Sequence, residues 1–330
     1  MKRNSKPTEI KILSHFINKI LVFYKPDLAT YWHTITQCAI SSKPLELDRY
    51  YLDFSSKFNY PGKIDGLGIP IYEFPDKRNI YHPIVICQYA LGIFEKLHYS
   101  GYREEKLKQK FLKQADWLIE NGVDTSKGVV WYIDINIEEY GLYPPWYSAL
   151  SQGEAISVLT RAYKISNNLD YLTICEKAII PFSINVDSGG LVNTFNGIPI
   201  YEEYPSPKKT VAVLNGFMFS LFGLYDLYLV SNNSKAFKLF EKGIDSLAKI
   251  LKYYDIGYWS RYYLFDYPKQ YNSSYTYHNI MINQLMALYH ITGNEELKRY
   301  SVKWERYKNS NIDKTRALLK KLFYARKLKV

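Results

Sequence analysis

With 330 residues and 47% hydrophobic content, the chain can bury one large core or two modest ones, which excludes a disordered or membrane-embedded protein. A formal net charge of +11 favours a polyanionic partner, and since no nucleic-acid module is present an acidic polymer or a membrane surface comes before nucleic acid. Cys38, Cys87 and Cys175 form no CxxC pair and the six histidines no HxxxH or HxH spacing, so neither a disulfide framework nor a locally built metal site is expected.

The N-terminus is basic (Lys2, Arg3, Lys6) and leads into residues 10–24, where Lys11, His15, Asn18 and Lys19 interrupt the apolar run. That pattern fits an amphipathic helix packed on the body, and it lacks the unbroken apolar core of a signal peptide or a membrane span. A cytoplasmic protein, free or peripheral to the inner membrane face, is therefore expected. Residues 25–80 are rich in Pro, Gly and Tyr, with a short β-hairpin expected around 64–71 because Asp65-Gly66 suits a tight turn. Residues 1–80 together read as an N-terminal helix and hairpin extension.

Four apolar helices follow, beginning near His82, Trp146, Leu214 and Tyr277. Few charges interrupt them, so each is buried on most of its faces. A charged, amphipathic helix follows each one, over roughly 103–120, 168–181, 234–252 and 295–308. Registering the apolar members on Gln88, Gln152, Ser220 and Gln284 gives a repeat of roughly 65 residues. The expected fold is mainly α: an (α/α) barrel or toroid of about four inner–outer helix pairs over 81–310. The loops 122–145, 182–212 and 253–276 are too long to be simple connectors and would line one mouth of such a ring. Residues 311–330 read as a basic C-terminal helix, carrying Lys314, Arg316, Lys320, Lys321, Arg326, Lys327 and Lys329 beside Leu318, Leu319, Leu322 and Phe323. Its cationic face is either solvated or in contact with a membrane surface or an acidic polymer.

The chemistry-bearing residues gather in the long loops. Tyr201-Glu202-Glu203-Tyr204-Pro205 places two carboxylates and a phenol before the third inner helix, where partial desolvation would raise a carboxyl pKa toward neutrality. Gly257-Tyr258-Trp259-Ser260-Arg261-Tyr262-Tyr263 precedes the fourth, which Tyr277-His278 opens. A phenol at a helix N-terminus is expected to have its pKa lowered by the dipole. Asn215 either caps its helix or bonds a substrate oxygen; Trp146, Tyr147 and Gln152 either line the cleft or belong to the core. His82 reads more simply as a cap than as a site residue. No strand runs into a GxGxxG turn, and no cofactor is expected.

Four ordered segments carry a family resemblance: 64–91 (GIPIY…YHPIVICQYAL), 145–163 (PWYSALSQGEAISVLTRAY), 201–227 (YEEYPSP…VLNGFMFSLFGLYDL) and 277–285 (YHNIMINQL). Over about residues 50–307 the chain resembles the C-terminal catalytic domain of D-glucuronyl C5-epimerases, which convert glucuronate to iduronate within heparosan and heparan sulfate chains. The resemblance implies a similar helical barrel and an isomerase. It places the family's catalytic glutamate and tyrosine on Glu203 and Tyr204. The loop tyrosine falls on Tyr262, with Tyr263 the adjacent alternative, the tyrosine of the last motif on Tyr277 and the asparagine of VLNGF on Asn215. Animal members carry an arginine three residues after the loop tyrosine, where this chain has Phe265; Arg261 is the nearby substitute. The large β-rich N-terminal region of the animal enzymes has no match in these residues, so its calcium site and dimer contacts are not carried over.

The expected function is thus polysaccharide uronate C5-epimerisation, with Glu203 and Tyr277 as acid and base on opposite ring faces and Tyr204 and Tyr262 assisting. Asn215, Trp146, Tyr147, Gln152, Arg261 and His278 are expected on the substrate, an acidic polysaccharide. The rivals are a polysaccharide lyase, which would expel the C4 oxygen after the same proton abstraction, a glycoside hydrolase, which needs two carboxylates flanking a glycosidic oxygen, and a carbohydrate-binding barrel without activity.

Overall fold

The computed structural model describes residues 21–74, 78–265 and 272–327. The helix expected over 10–24 lies outside the described residues apart from 21–24, and so does Lys329. The described chain is mainly helical. In order it holds α1 (Pro83–Tyr99), α2 (Glu105–Asn121), α3 (Ala149–Ser166), α4 (Asp170–Ala178), α5 (Leu214–Ser231), α6 (Ser234–Tyr254), α7 (Tyr275–Thr292), α8 (Glu295–Asn309) and α9 (Asn311–Lys327). The apolar helices α1, α3, α5 and α7 alternate with the amphipathic α2, α4, α6 and α8. The start expected near Trp146 moves to Ala149, because Trp146 is bridged to Ile133 as extended chain and Ser148 caps the helix by accepting from the Leu150 N–H at 3.1 Å. Asn167, Asn232 and Gly293, all left-handed (φ 57°, 53° and 69°), end α3, α5 and α7 in the same way.

Packing orders these helices. Helix α1 lies on α3, α3 on α5 and α5 on α7, while α2, α4, α6 and α8 each pack on the apolar helix before them. At the α3–α5 contact two glycines meet: a Cβ on Gly223 would lie 2.2 Å from the Gly153 carbonyl oxygen, so no side chain fits there. The N-terminal segment touches both α7 and α1. Asn283 Oδ1 accepts from the Cys38 N–H at 2.9 Å, Asn279 donates to the Thr36 carbonyl at 2.8 Å, and Glu95 Oε1 on α1 accepts from the Tyr50 N–H at 2.9 Å. Tyr50, Tyr51, Leu52 and Phe54 belong to the same buried cluster as the apolar helices.

Three small antiparallel sheets complete the fold. The hairpin expected near 64–71 is present as β1 (Lys63–Ile64) paired with β2 (Pro70–Glu73), with β3 (Asn79–Ile80) on the other edge of β2. Its turn is held by Asp65 Oδ1, which accepts from the N–H groups of Leu67 and Ile69. Two further hairpins fold segments expected only as loops: β4 (Val123–Thr125) with β5 (Gly128–Val130), and β6 (Val192–Phe195) with β7 (Ile198–Tyr201). Helix α9 buries Ala317 in a cluster with Phe23 and Trp259, and leaves Ile312 and Leu319 exposed. No helix among the described residues is long and apolar enough to cross a membrane.

Candidate active site

A cavity of about 330 Å³ opens at the N-terminal ends of the four apolar helices. Ile84, Val85 and Gln88 reach it from α1, Leu150 from α3, Asn215 and Phe219 from α5, and Thr276, Tyr277 and Ile280 from α7. Glu203 and Tyr204 enter from the loop after β7, and the N-terminal part of the chain adds residues 32–34, Phe54, Lys57, Tyr72 and Phe74. Aligned helix N-termini carry partial positive charge, so this end of the bundle favours an anion.

The two adjacent glutamates divide their work. Glu202 is fully buried and turns away from the cavity: its Oε1 accepts from the N–H groups of Val211 and Ala212 at 3.0 and 3.2 Å, and its Oε2 from Ala212 at 3.0 Å. This clamp closes the 202–212 loop, with Ala212 in the left-handed region (φ 53°), and leaves Glu203 facing the first turn of α5. Glu203 is 5% exposed, and its Oε2 is buried without a hydrogen-bond partner among the described residues. Gly216 makes room for it, since a Cβ there would lie 2.2 Å from Oε2 and 2.7 Å from the Glu203 Cβ.

Burial pushes the Glu203 carboxyl up to about 7, against the opposing pull of a hydrogen bond from Tyr204. Burial also raises Tyr204 and Tyr262 well above the ordinary phenol value, with the negative charge of Glu203 acting in the same direction. The expected lowering of Tyr277 is wrong. Burial first, then Glu203, push its phenol up to about 12 against the opposing pull of a hydrogen bond from Tyr262, so Tyr277 is a proton donor at neutral pH. Tyr262 settles beside Tyr277, ring centroids 4.6 Å apart and side chains hydrogen-bonded, whereas Tyr263 packs in the cluster with Val211, Val213 and Phe265.

Asn215 does not cap α5: Val213 holds the N-cap position, and the Asn215 amide reaches the cavity wall with its Oδ1 buried and unpartnered among the described residues. Trp146 stands behind Tyr204, ring centroids 5.8 Å apart, and donates its indole N–H to the Ile135 carbonyl. Four expected contacts lie away from the cavity. Gln152 is a core residue, accepting from the Trp131 N–H and donating to the Val129 and Ala178 carbonyls. His278 is buried between the Ser260 hydroxyl at 2.6 Å and the Trp304 carbonyl at 3.1 Å, stacked on Trp259, and burial lowers it to about 3. The Tyr147 hydroxyl bonds the Gly189 carbonyl, and Arg261 lies near Lys320 of α9. His82 is both a helix cap, accepting from the Ile84 N–H, and a cavity-wall residue, with burial lowering it to about 4.

Three buried carboxyls make stability depend on pH. Burial raises Glu154 and Glu202 to about 8 and Glu203 to about 7. Each folded-state value exceeds that of the unfolded chain, so the folded form holds these protons more tightly. Their contribution is complete below the unfolded carboxyl pKa and is lost as pH rises through about 7 to 8. The buried imidazoles of His82 and His278 act the other way below about pH 6.5. Calorimetric melting temperature should therefore fall between about pH 6.5 and pH 8, and Glu154→Gln should flatten that slope; a melting temperature rising over this interval would contradict the burial of these carboxyls.

Residues 124–306 match the family model described as D-glucuronyl C5-epimerase C-terminus. The chain is 38% identical over 169 residues to the D-glucuronyl C5-epimerase of Caenorhabditis elegans, covering 47% of this chain and 27% of that protein. It is 28% identical over 240 residues to an uncharacterized protein of Methanocaldococcus jannaschii, covering 64% of this chain and 75% of that one. The match to the nematode enzyme thus spans little more than a quarter of that protein's length. Glu203, Tyr204, Asn215, Tyr262 and Tyr277 all fall inside the matched span.

Proposed function

Because the chain belongs to the D-glucuronyl C5-epimerase C-terminal family, we propose that it inverts C5 of glucuronate residues within an acidic polysaccharide of heparosan type, giving L-iduronate. The observation that carries this reading is that a carboxylate poised near neutrality, Glu203, and a protonated phenol, Tyr277, line one cavity at the N-terminal ends of four helices. We also take the four apolar helices to be the inner ring of an (α/α) toroid, which the 34–58 segment completes between α7 and α1.

The C5 hydrogen lies next to the C6 carboxylate and is barely acidic. Glu203 takes it as a proton, and the C–H electron pair moves into a C5–C6 double bond, spreading a second negative charge over the carboxylate oxygens. Donors already in place must meet that charge, because reorganising them during reaction would cost rate. The Asn215 amide on the cavity wall is such a donor. The buried phenols stay protonated and act through the reacting pair, Tyr204 donating to Glu203 and Tyr262, set behind the wall, donating to Tyr277. The Tyr277 hydroxyl then delivers a proton to C5 from the other face, leaving a phenolate that solvent reprotonates while Glu203 releases its proton. In the reverse direction the two roles exchange. The reaction needs a base with a pKa near the working pH, which burial supplies at Glu203.

Incubation with heparosan in heavy water tests this. Deuterium should enter at C5 with the chain intact; an unsaturated uronate absorbing in the ultraviolet would mean the lyase instead. Gly216→Ala probes placement, since its methyl would displace the Glu203 carboxylate. A shift of about 1 Å should cost about 10²-fold in exchange rate with the fold retained, and an unchanged rate would remove Glu203 from the chemistry.

A further inference from the structure

Among the described residues that wall the cavity, Lys57 is the only lysine or arginine. It lies outside the family-matched span, and its side chain is almost wholly buried, at 5% exposure. A short 3-10 helix (Ser55–Phe58) holds it, seated directly on Gly92 of α1, where a Cβ would be 2.5 Å from the Phe58 nitrogen and 2.7 Å from the Lys57 carbonyl carbon. Tyr31 ties it at both ends: the Lys57 ammonium donates to the Tyr31 carbonyl at 2.7 Å and stands 4.6 Å from the ring centroid, and the Tyr31 hydroxyl donates to the Lys57 carbonyl at 3.2 Å. One ammonium hydrogen is committed to Tyr31. Among the described residues Lys57 makes no ion pair, and the nearest anionic influence on it is Glu154. Burying an ammonium without an anion is costly.

We infer that Lys57 receives the C6 carboxylate of the substrate and holds its charge as C5 loses its proton. The assignment rests on the epimerase reading above and replaces Arg261, which the fold places elsewhere. Trp32 and Tyr72, at 5.2 Å between ring centroids, stand beside it in the wall and offer aromatic surface to the sugar. The carboxylate carries more charge in the transition state than in the bound substrate, so the ammonium contributes to both binding and rate. Burial lowers Lys57 to about 8, which leaves it mostly protonated at pH 7, and an anion at the site would raise it.

A heparosan tetrasaccharide and its carboxyl-reduced counterpart test this by calorimetry. Wild type should prefer the acid form by about 10- to 100-fold, the scale of one charge-assisted hydrogen bond. Lys57→Met should erase that preference while binding the reduced sugar as before. If the preference survives in Lys57→Met, or both sugars weaken equally, the assignment fails. Lysine labelled with 13C at Cε needs no variant: the signal titrating near 8 should move up with the acid tetrasaccharide and stay with the reduced one, and an unmoved signal would also overturn the assignment. These readouts are independent of turnover. Preference for the acid form through Lys57 without deuterium entry at C5 would sink the epimerase reading and leave the carboxylate site standing. Deuterium entry at an undiminished rate in Lys57→Met would do the reverse.

Discussion

Glu203→Gln should lower the rate of C5 hydrogen exchange by about 10²–10⁴-fold, the usual contribution of a positioned base, and should make the protein more stable above pH 7. The pairing of these effects is the useful part. Glutamine has nearly the same shape and can still accept from Tyr204, so the packing against Gly216 is kept. What disappears is a carboxylate that burial holds near 7 and whose ionisation weakens the fold as pH rises. A misfolded variant would lose activity and stability together. Exchange rates compared with urea midpoints at pH 8 separate the cases, and loss of both would mean that Glu203 is a packing residue.

Asp226→Ala should cost about 3–5 kcal/mol of unfolding free energy, as expected when one member of a buried ion pair is removed. Asp226 on α5 and Arg161 on α3 are both fully buried, with guanidinium and carboxylate 2.6 Å apart. The Tyr51 hydroxyl also donates to Asp226 at 2.6 Å, and Arg161 reaches the Arg49 carbonyl at 3.1 Å. The pair thus pins the N-terminal segment onto two apolar helices, toward their C-terminal ends and away from the cavity. Removing the carboxylate strands a guanidinium in the core. Replacing both partners, as in Arg161→Met with Asp226→Leu, should cost much less because no unpaired charge remains. Chemical denaturation of the three variants checks this, and equal losses in the single and double variants would refute the charge argument.

The alternation of apolar and amphipathic helices was legible because burial on all faces and burial on one face leave different periodicities. The motif residues Glu203, Tyr204, Asn215 and Tyr277 also meet at one cavity, as the loop-to-helix junctions suggested. Hairpin β6–β7 was missed although Asn196-Gly197, with both residues at positive φ, is a strong turn signal between β-forming residues. Gln152 and His278 were misjudged for a different reason: their polar atoms bond backbone carbonyls and a buried serine from distant segments, and no local pattern marks that. The Tyr277 pKa was misjudged because a helix terminus is visible in sequence and desolvation is not. Lys57 had no signal at all, being one lysine among 43 basic residues until the fold buries it beside the cavity.

The claim that Glu203 and Tyr277 serve opposite faces of one sugar ring is tested most directly by a single turnover on protiated heparosan in heavy water, read by NMR at C5. Two separate groups require that every iduronate formed carries deuterium while unreacted glucuronate keeps its hydrogen. Iduronate that retains the original hydrogen would mean that one group removes and returns the same proton, and the two-residue arrangement would be wrong.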